Sequence, residues 1–169
     1  MAKNQTEPNS SIYRLLETRA QKKPMEIGIV AASRPPLTYS GLLDAIDKVI
    51  GQLNAMGVGR NDRVAVALPN GPEMAVAFLA VASAATCAPL NPGYRQSEYD
   101  FYLSDLDAKA LIFQSGVAEP AVEVAQKKGI PLVELSPITE AAAGIFNLAV
   151  EEGKNPPPTE AEASPNRKM

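Results

Sequence analysis

The chain has 169 residues, enough for one domain with a real core, and its 46% hydrophobic and 21% charged content is that of an ordinary globular protein. A net charge of −3 excludes the broad basic face that nucleic acid requires. With no histidine and one cysteine, Cys87, the chain excludes Ser–His–Asp and Cys–His triads, histidine-ligated metals, thiolate zinc sites and internal disulfides. Catalysis would have to rest on carboxylates, lysines, hydroxyls or backbone donors.

Along the chain, residues 1–10 are polar and are expected to be disordered. Ile12, Leu15, Leu16 and Ala20 then recur at helical spacing, with Ser10 or Ser11 as the cap and Pro24 as the stop. EIGIVA (26–31) reads as a short strand, followed by an Arg34-Pro35-Pro36 turn and a brief extended LTY at 37–39. The best helix runs from Gly41 to Met56 with one apolar stripe, and Gly57 ends it. RVAVAL (63–68) reads as a buried strand.

Asn70-Gly71-Pro72-Glu73 has the composition of a helix start, with Asn70 as cap and Glu73 closing a capping box. The helix it begins, 74–85, is apolar all round and should be buried on nearly every side. Cys87–Leu90 is a short extended piece, Pro92-Gly93 a turn, and Tyr99, Tyr102, Leu103 and Leu106 form the stripe of the next helix. KALIF (109–113) is a strand, and 122–128 a helix with Glu123 placed to pair with Lys127 and Gly129 as its stop. IPLVEL (130–135) is a further strand, and a weak last helix is expected over 138–151. Residues 152–169, proline-rich and nearly without large apolar side chains, are expected to be disordered.

Strands alternating with helices predict an α/β fold: a mostly parallel sheet with helices on both faces, over residues 11–151. No apolar run reaches membrane-spanning length and no secretion signal opens the chain, so the expectation is cytoplasm, with neither membrane nor nucleic acid as partner.

Candidate ligand positions are few. Gly57-Val58-Gly59 lacks the third glycine of a dinucleotide fingerprint and follows a helix rather than a strand, so it reads as a helix stop. Asn70-Gly71-Pro72-Glu73 lies at a strand-to-helix junction, where open α/β sheets bind ligands. Yet Glu73 repels an anion and Pro72 lacks a backbone donor, so capping is the better reading. Cys87 among small apolar residues reads as a structural thiol, Tyr94-Arg95 as a turn-end surface pair, and Glu98-Asp100 through Asp105-Asp107 as a charged outer face. No catalytic, cofactor-binding or metal-binding residue is assigned.

The order of segments carries a resemblance. LTYSGL (37–42), GVGRNDRVAVALPNGPEMAVAFLAV (57–81) and AATCAPLNPGYRQSEYDFYLSDLDAKALI (84–112) occur in the order of three motifs of the AMP-forming acyl-CoA synthetases, the adenylate-forming ligase superfamily. The wording of the third is closest to the oxalate–CoA ligase-like branch. The resemblance covers about 12–138 and implies the first subdomain of the ligase N-terminal domain. It also implies ATP, Mg and CoA for the full-length family, and none of them in this chain. The phosphate loop [ST]-S-G-T-T-x-x-P-K and the mobile C-terminal domain with its lysine have no counterpart here. The chain is therefore expected to correspond to the first third of such an enzyme and to be inactive alone. It should use uncovered apolar surface, on helix 74–85 or a sheet edge, to meet the remainder of the ligase, another partner or a second copy.

Overall fold

The computed structural model of the chain describes residues 11–150. The expectations for residues 1–10 and 151–169 fall outside them.

The alternation of valine and alanine in Arg63–Ala67 (β3) explains the architecture. Val64 and Val66 point to one face and Ala65 and Ala67 to the other, and all four are fully buried. β3 therefore needs cover on both sides. It is flanked by parallel strands Thr86–Pro89 (β4) and Ala110–Phe113 (β5); Leu132–Pro137 (β6) extends the sheet in parallel, and Phe146–Val150 (β7) closes it antiparallel. The order is β4-β3-β5-β6-β7.

On one face Val64, Val66, Ile112, Val133 and Leu135 pack against helices Tyr39–Ala55 (α2) and Pro72–Ala84 (α3), which bring Leu42, Ile46, Val49, Leu53, Val76 and Val81. On the other face Ala65, Ala67, Leu111 and Phe113 meet Gln96–Asp105 (α4) and Glu119–Lys128 (α5) through Tyr99, Leu103, Ala121 and Val124. Helix Ile12–Lys22 (α1) lies on α2 and α3. Strands Ile27–Ile29 (β1) and Leu37–Thr38 (β2) form a separate two-stranded antiparallel sheet. The α/β fold with a mostly parallel sheet covered on both faces is the one the sequence predicts.

Local chemistry sets the boundaries. Ser11, not Ser10, caps α1 by accepting from the Arg14 amide at 3.2 Å. Thr38 caps α2 by accepting from Gly41 N–H at 3.2 Å, so that helix begins at Tyr39 rather than Gly41. Gly57 and Gly129 follow α2 and α5 with left-handed φ of 76° and 69°, the conformation that ends a helix.

Four expectations are corrected. The segment 138–150 is not a helix: 138–145 is a loop and 146–150 is β7, whose hydrogen bonds to β6 outweigh its weak helical pattern. Asn70 does not cap α3; Gly71 occupies the cap position and no side chain bonds there, while the Glu73 carboxylate turns to Arg34. α3 is not buried all round: Ala75 and Phe78 are exposed, Phe78 at 38%. Glu123 accepts a hydrogen bond from the Gln96 side chain at 3.2 Å across to α4, not from Lys127.

Candidate functional site

Because β4 and β5 lie on opposite sides of β3, the chain reverses its direction of travel across the sheet there. In open α/β sheets ligands bind outside the carboxyl ends of the strands at such a switch point. Three loops meet at this edge: 68–71 between β3 and α3, 90–95 between β4 and α4, and 114–118 between β5 and α5. Each ends at a helix N-terminus, where free N–H groups and the macrodipole favour an anion.

Each of those helices carries a glutamate in its first turn. Glu98 accepts from the Arg95 amide at 2.8 Å, and Glu119 accepts from the Gly116 amide at 2.8 Å. At α3, where Pro72 removes one donor, Glu73 sits in the first turn and pairs with the Arg34 guanidinium at 3.0 Å. Arg34 also donates to the carbonyls of Ala141 (3.0 Å), Ile138 (2.8 Å) and Ala142 (2.9 Å), and the Ala143 amide donates to Pro35 O at 2.8 Å. These bonds draw loop 138–145 over the start of α3. Gly144, at φ 84°, comes so close that a Cβ there would lie 2.6 Å from Val76 Cγ2 and 2.9 Å from Pro72 O. In the same loop Glu140 is held below the usual carboxylate range, first by the Thr139 hydroxyl, which donates to it at 2.9 Å.

The stretch 90–95 is held from inside. The Asn91 side chain accepts from the Gly93 amide at 2.9 Å, and the buried Tyr99 hydroxyl donates to Asn91 O at 2.8 Å. Tyr94 stacks on Tyr102 at 5.2 Å between ring centroids and meets Tyr99 edge-on at 5.9 Å. Burial pushes the Tyr99 hydroxyl up to about 12.

The remaining sequence candidates are placed as follows. Gly57-Val58-Gly59 is a helix stop with Val58 buried, and the Asp62 carboxylate accepts from the Gly59 amide at 2.7 Å. Cys87 lies in β4, half-buried, with its thiol pushed up to about 11 by burial, so it stays protonated and poorly nucleophilic near neutrality. In the acidic helix Asp100 pairs with Lys128 at 2.8 Å, and Asp107 pairs with Arg63 at 3.4 Å. Among the described residues no group of three or more His, Cys, Asp or Glu side chains is arranged to hold a metal, and no helix is long and apolar enough to cross a membrane. Arg34 is the residue that sequence reasoning missed. Its partners lie 39 and more than a hundred positions away, and no local pattern announces them.

The family model for "AMP-binding enzyme" matches residues 16–167. The chain belongs to that family. It corresponds to the N-terminal region of an adenylate-forming acyl-CoA ligase. It is 35% identical to the oxalate–CoA ligase of Arabidopsis thaliana over 137 residues, 80% of this chain and 27% of that protein. It is 37% identical to the probable CoA ligase CCL9 of Humulus lupulus over 123 residues, 72% and 23% of the two chains. The fold matches the benzoate CoA ligase of Burkholderia xenovorans LB400 with a TM-score of 0.69 at 16% identity, covering 79% of this chain and 27% of that one. The chain thus spans about a quarter of the length of the ligases it matches. Each of the three helices at the carboxyl edge carries a glutamate in its first turn, which disfavours an approaching anion, and the start of α3 lies beneath loop 138–145.

Proposed function

We propose that this chain serves as the N-terminal scaffold of an AMP-forming acid–CoA ligase and is catalytically silent alone. The parent reaction joins a carboxylate to the α-phosphate of ATP, releasing pyrophosphate, and then transfers the acyl group from AMP to the thiol of CoA. ATP, Mg and CoA would be held by parts of a full-length ligase outside this chain. The observation that supports silence is the trio Glu73, Glu98 and Glu119, each placed where a phosphate would have to approach. A cytoplasmic location belongs to the same reading.

The test is carboxylate-dependent exchange of labelled pyrophosphate into ATP by the purified chain, together with calorimetric titration of ATP and AMP. No exchange and no saturable heat are expected. Exchange above background would overturn the reading; saturable nucleotide binding without exchange would restore the Asn70 junction as a nucleotide site.

A second reading, supported by Leu15, Met25, Val30 and Phe101 at 61%, 78%, 73% and 63% exposure, is a stand-alone interaction module. It would meet the remainder of a ligase, or a second copy of itself, through uncovered apolar surface.

A further inference from the structure

After β6 the chain crosses the start of α3 as loop 138–145 and returns along β6 as β7. The loop is bonded first to itself. Ile138 N–H donates to Ile145 O at 2.9 Å, Ala141 N–H to Ile138 O at 3.1 Å and Ile145 N–H to Ala142 O at 3.1 Å. β7 is an edge strand with β6 as its one neighbour, and its Asn147, Ala149 and Val150 are exposed. Within 138–150, Ala143, Gly144 and Phe146 are buried.

Apart from the pairing with β6, two places hold this segment to the rest of the described residues by hydrogen bonds. One is the turn after β1, where Arg34 donates to the carbonyls of Ile138, Ala141 and Ala142 and Pro35 O accepts from the Ala143 amide. The other is the Gln52 side chain, which donates to Leu148 O at 3.4 Å. A stretch bonded within itself, set at a sheet edge and fastened at few points opens cooperatively at a lower free energy than the whole fold.

We propose that residues 138–150 form a latched flap that opens as one unit, with Arg34 as its latch. The guanidinium serves Glu73 at 3.0 Å and the three loop carbonyls at once, which its planar fork of donors permits and a lysine ammonium does not. Opening bares the start of α3 and leaves the edge of β6 without a partner, so the latch governs whether that edge is available to another strand. This goes beyond the scaffold reading above and holds whether or not the chain is silent alone.

Native-state hydrogen exchange of the 169-residue chain over a series of low urea concentrations is the test. The Ala143 and Ile145 amides and the β7 amides that pair with β6 should share one opening free energy and one urea slope, both below those of β3 and β5. Arg34→Met should speed exchange of that whole set about a hundredfold. Arg34→Lys, which keeps the charge without the fork, should speed it by at least about tenfold, and so should Gly144→Ala, which presses the loop against Val76 and Pro72. These two variants give the answer if Arg34→Met does not fold. Val124→Ala, in α5 on the other face of the sheet, should speed β3 and β5 at least about fivefold and leave the flap unchanged.

Flap amides that follow the same urea dependence as β3 and β5, or that quicken with them in Val124→Ala, overturn the flap. Scattered opening free energies within 143–150 overturn the single unit. A separate flap whose exchange neither Arg34 variant changes overturns Arg34 as the latch.

Discussion

Arg34 shows how much one side chain can organise. Its guanidinium joins the turn after β1, the first turn of α3 and three carbonyls of loop 138–145, and its side chain is 13% exposed beside a Glu73 that is 15% exposed. Removing one partner of a pair so far from water leaves the other charge uncompensated. Arg34→Met should therefore cost about 3 kcal/mol in urea unfolding. Arg34→Met with Glu73→Met should recover part of that loss, since no charge is then left alone.

Two other residues bear on alkaline stability. Burial pushes the Cys87 thiol up to about 11 from its ordinary 9.0, and the Tyr99 hydroxyl up to about 12 from 10.0. In both, the folded state holds its proton more tightly than the unfolded chain. Their contribution is complete below the unfolded values and is lost as pH rises through the folded ones. The urea midpoint should thus begin to fall near pH 9 and fall more steeply above pH 10. In Cys87→Ala the decline should start only near pH 10, where Tyr99 takes over. An unchanged onset in that variant would count against the thiol.

Among the elements, loop 138–145 and α3 form one unit through Gly144. A Cβ at that position meets Val76 Cγ2 at 2.6 Å and Pro72 O at 2.9 Å, and φ is 84°. Gly144→Ala should destabilise by about 2 kcal/mol or more, combining left-handed strain with overpacking. Gly51 is the opposite case, an exposed residue inside α2 with nothing within 4 Å of a Cβ. Gly51→Ala should raise stability by about 1 kcal/mol through helix propensity. Thermal unfolding of the two variants separates close packing from backbone freedom.

The same elements show which parts were legible. α2 and β3 were readable because an apolar stripe and a run of buried small and branched residues each imply one structure. α4 was readable from Tyr99, Tyr102, Leu103 and Leu106, of which the structure buries Tyr99 and Leu103 and half-buries the other two. β7 was not readable: its five residues, FNLAV, are satisfied by hydrogen bonds to β6, a partner that the local pattern does not contain.

At the scale of the molecule, the carboxyl edge of the sheet is placed as in ligand-binding α/β folds, and each helix that starts there carries a glutamate in its first turn. The absence of histidine had already removed several chemistries, and the motif order indicated the ligase family, which the family match over 16–167 bears out. Phe78 on α3 is less exposed than Met25 or Val30 beside β1. The hairpin β1–β2, a sheet of its own, is the more open element.

By itself the sequence determined the alternation of elements, the positions of most helix ends and the family, because periodicity, caps and motif order are local or linear properties. Only the tertiary structure decided that Glu73 serves Arg34 rather than a cap, that 146–150 is a strand, and that loop 138–145 is drawn over the start of α3. Those outcomes depend on groups far apart in the chain meeting away from water, where a charge or a backbone donor must find whichever partner the fold brings to it.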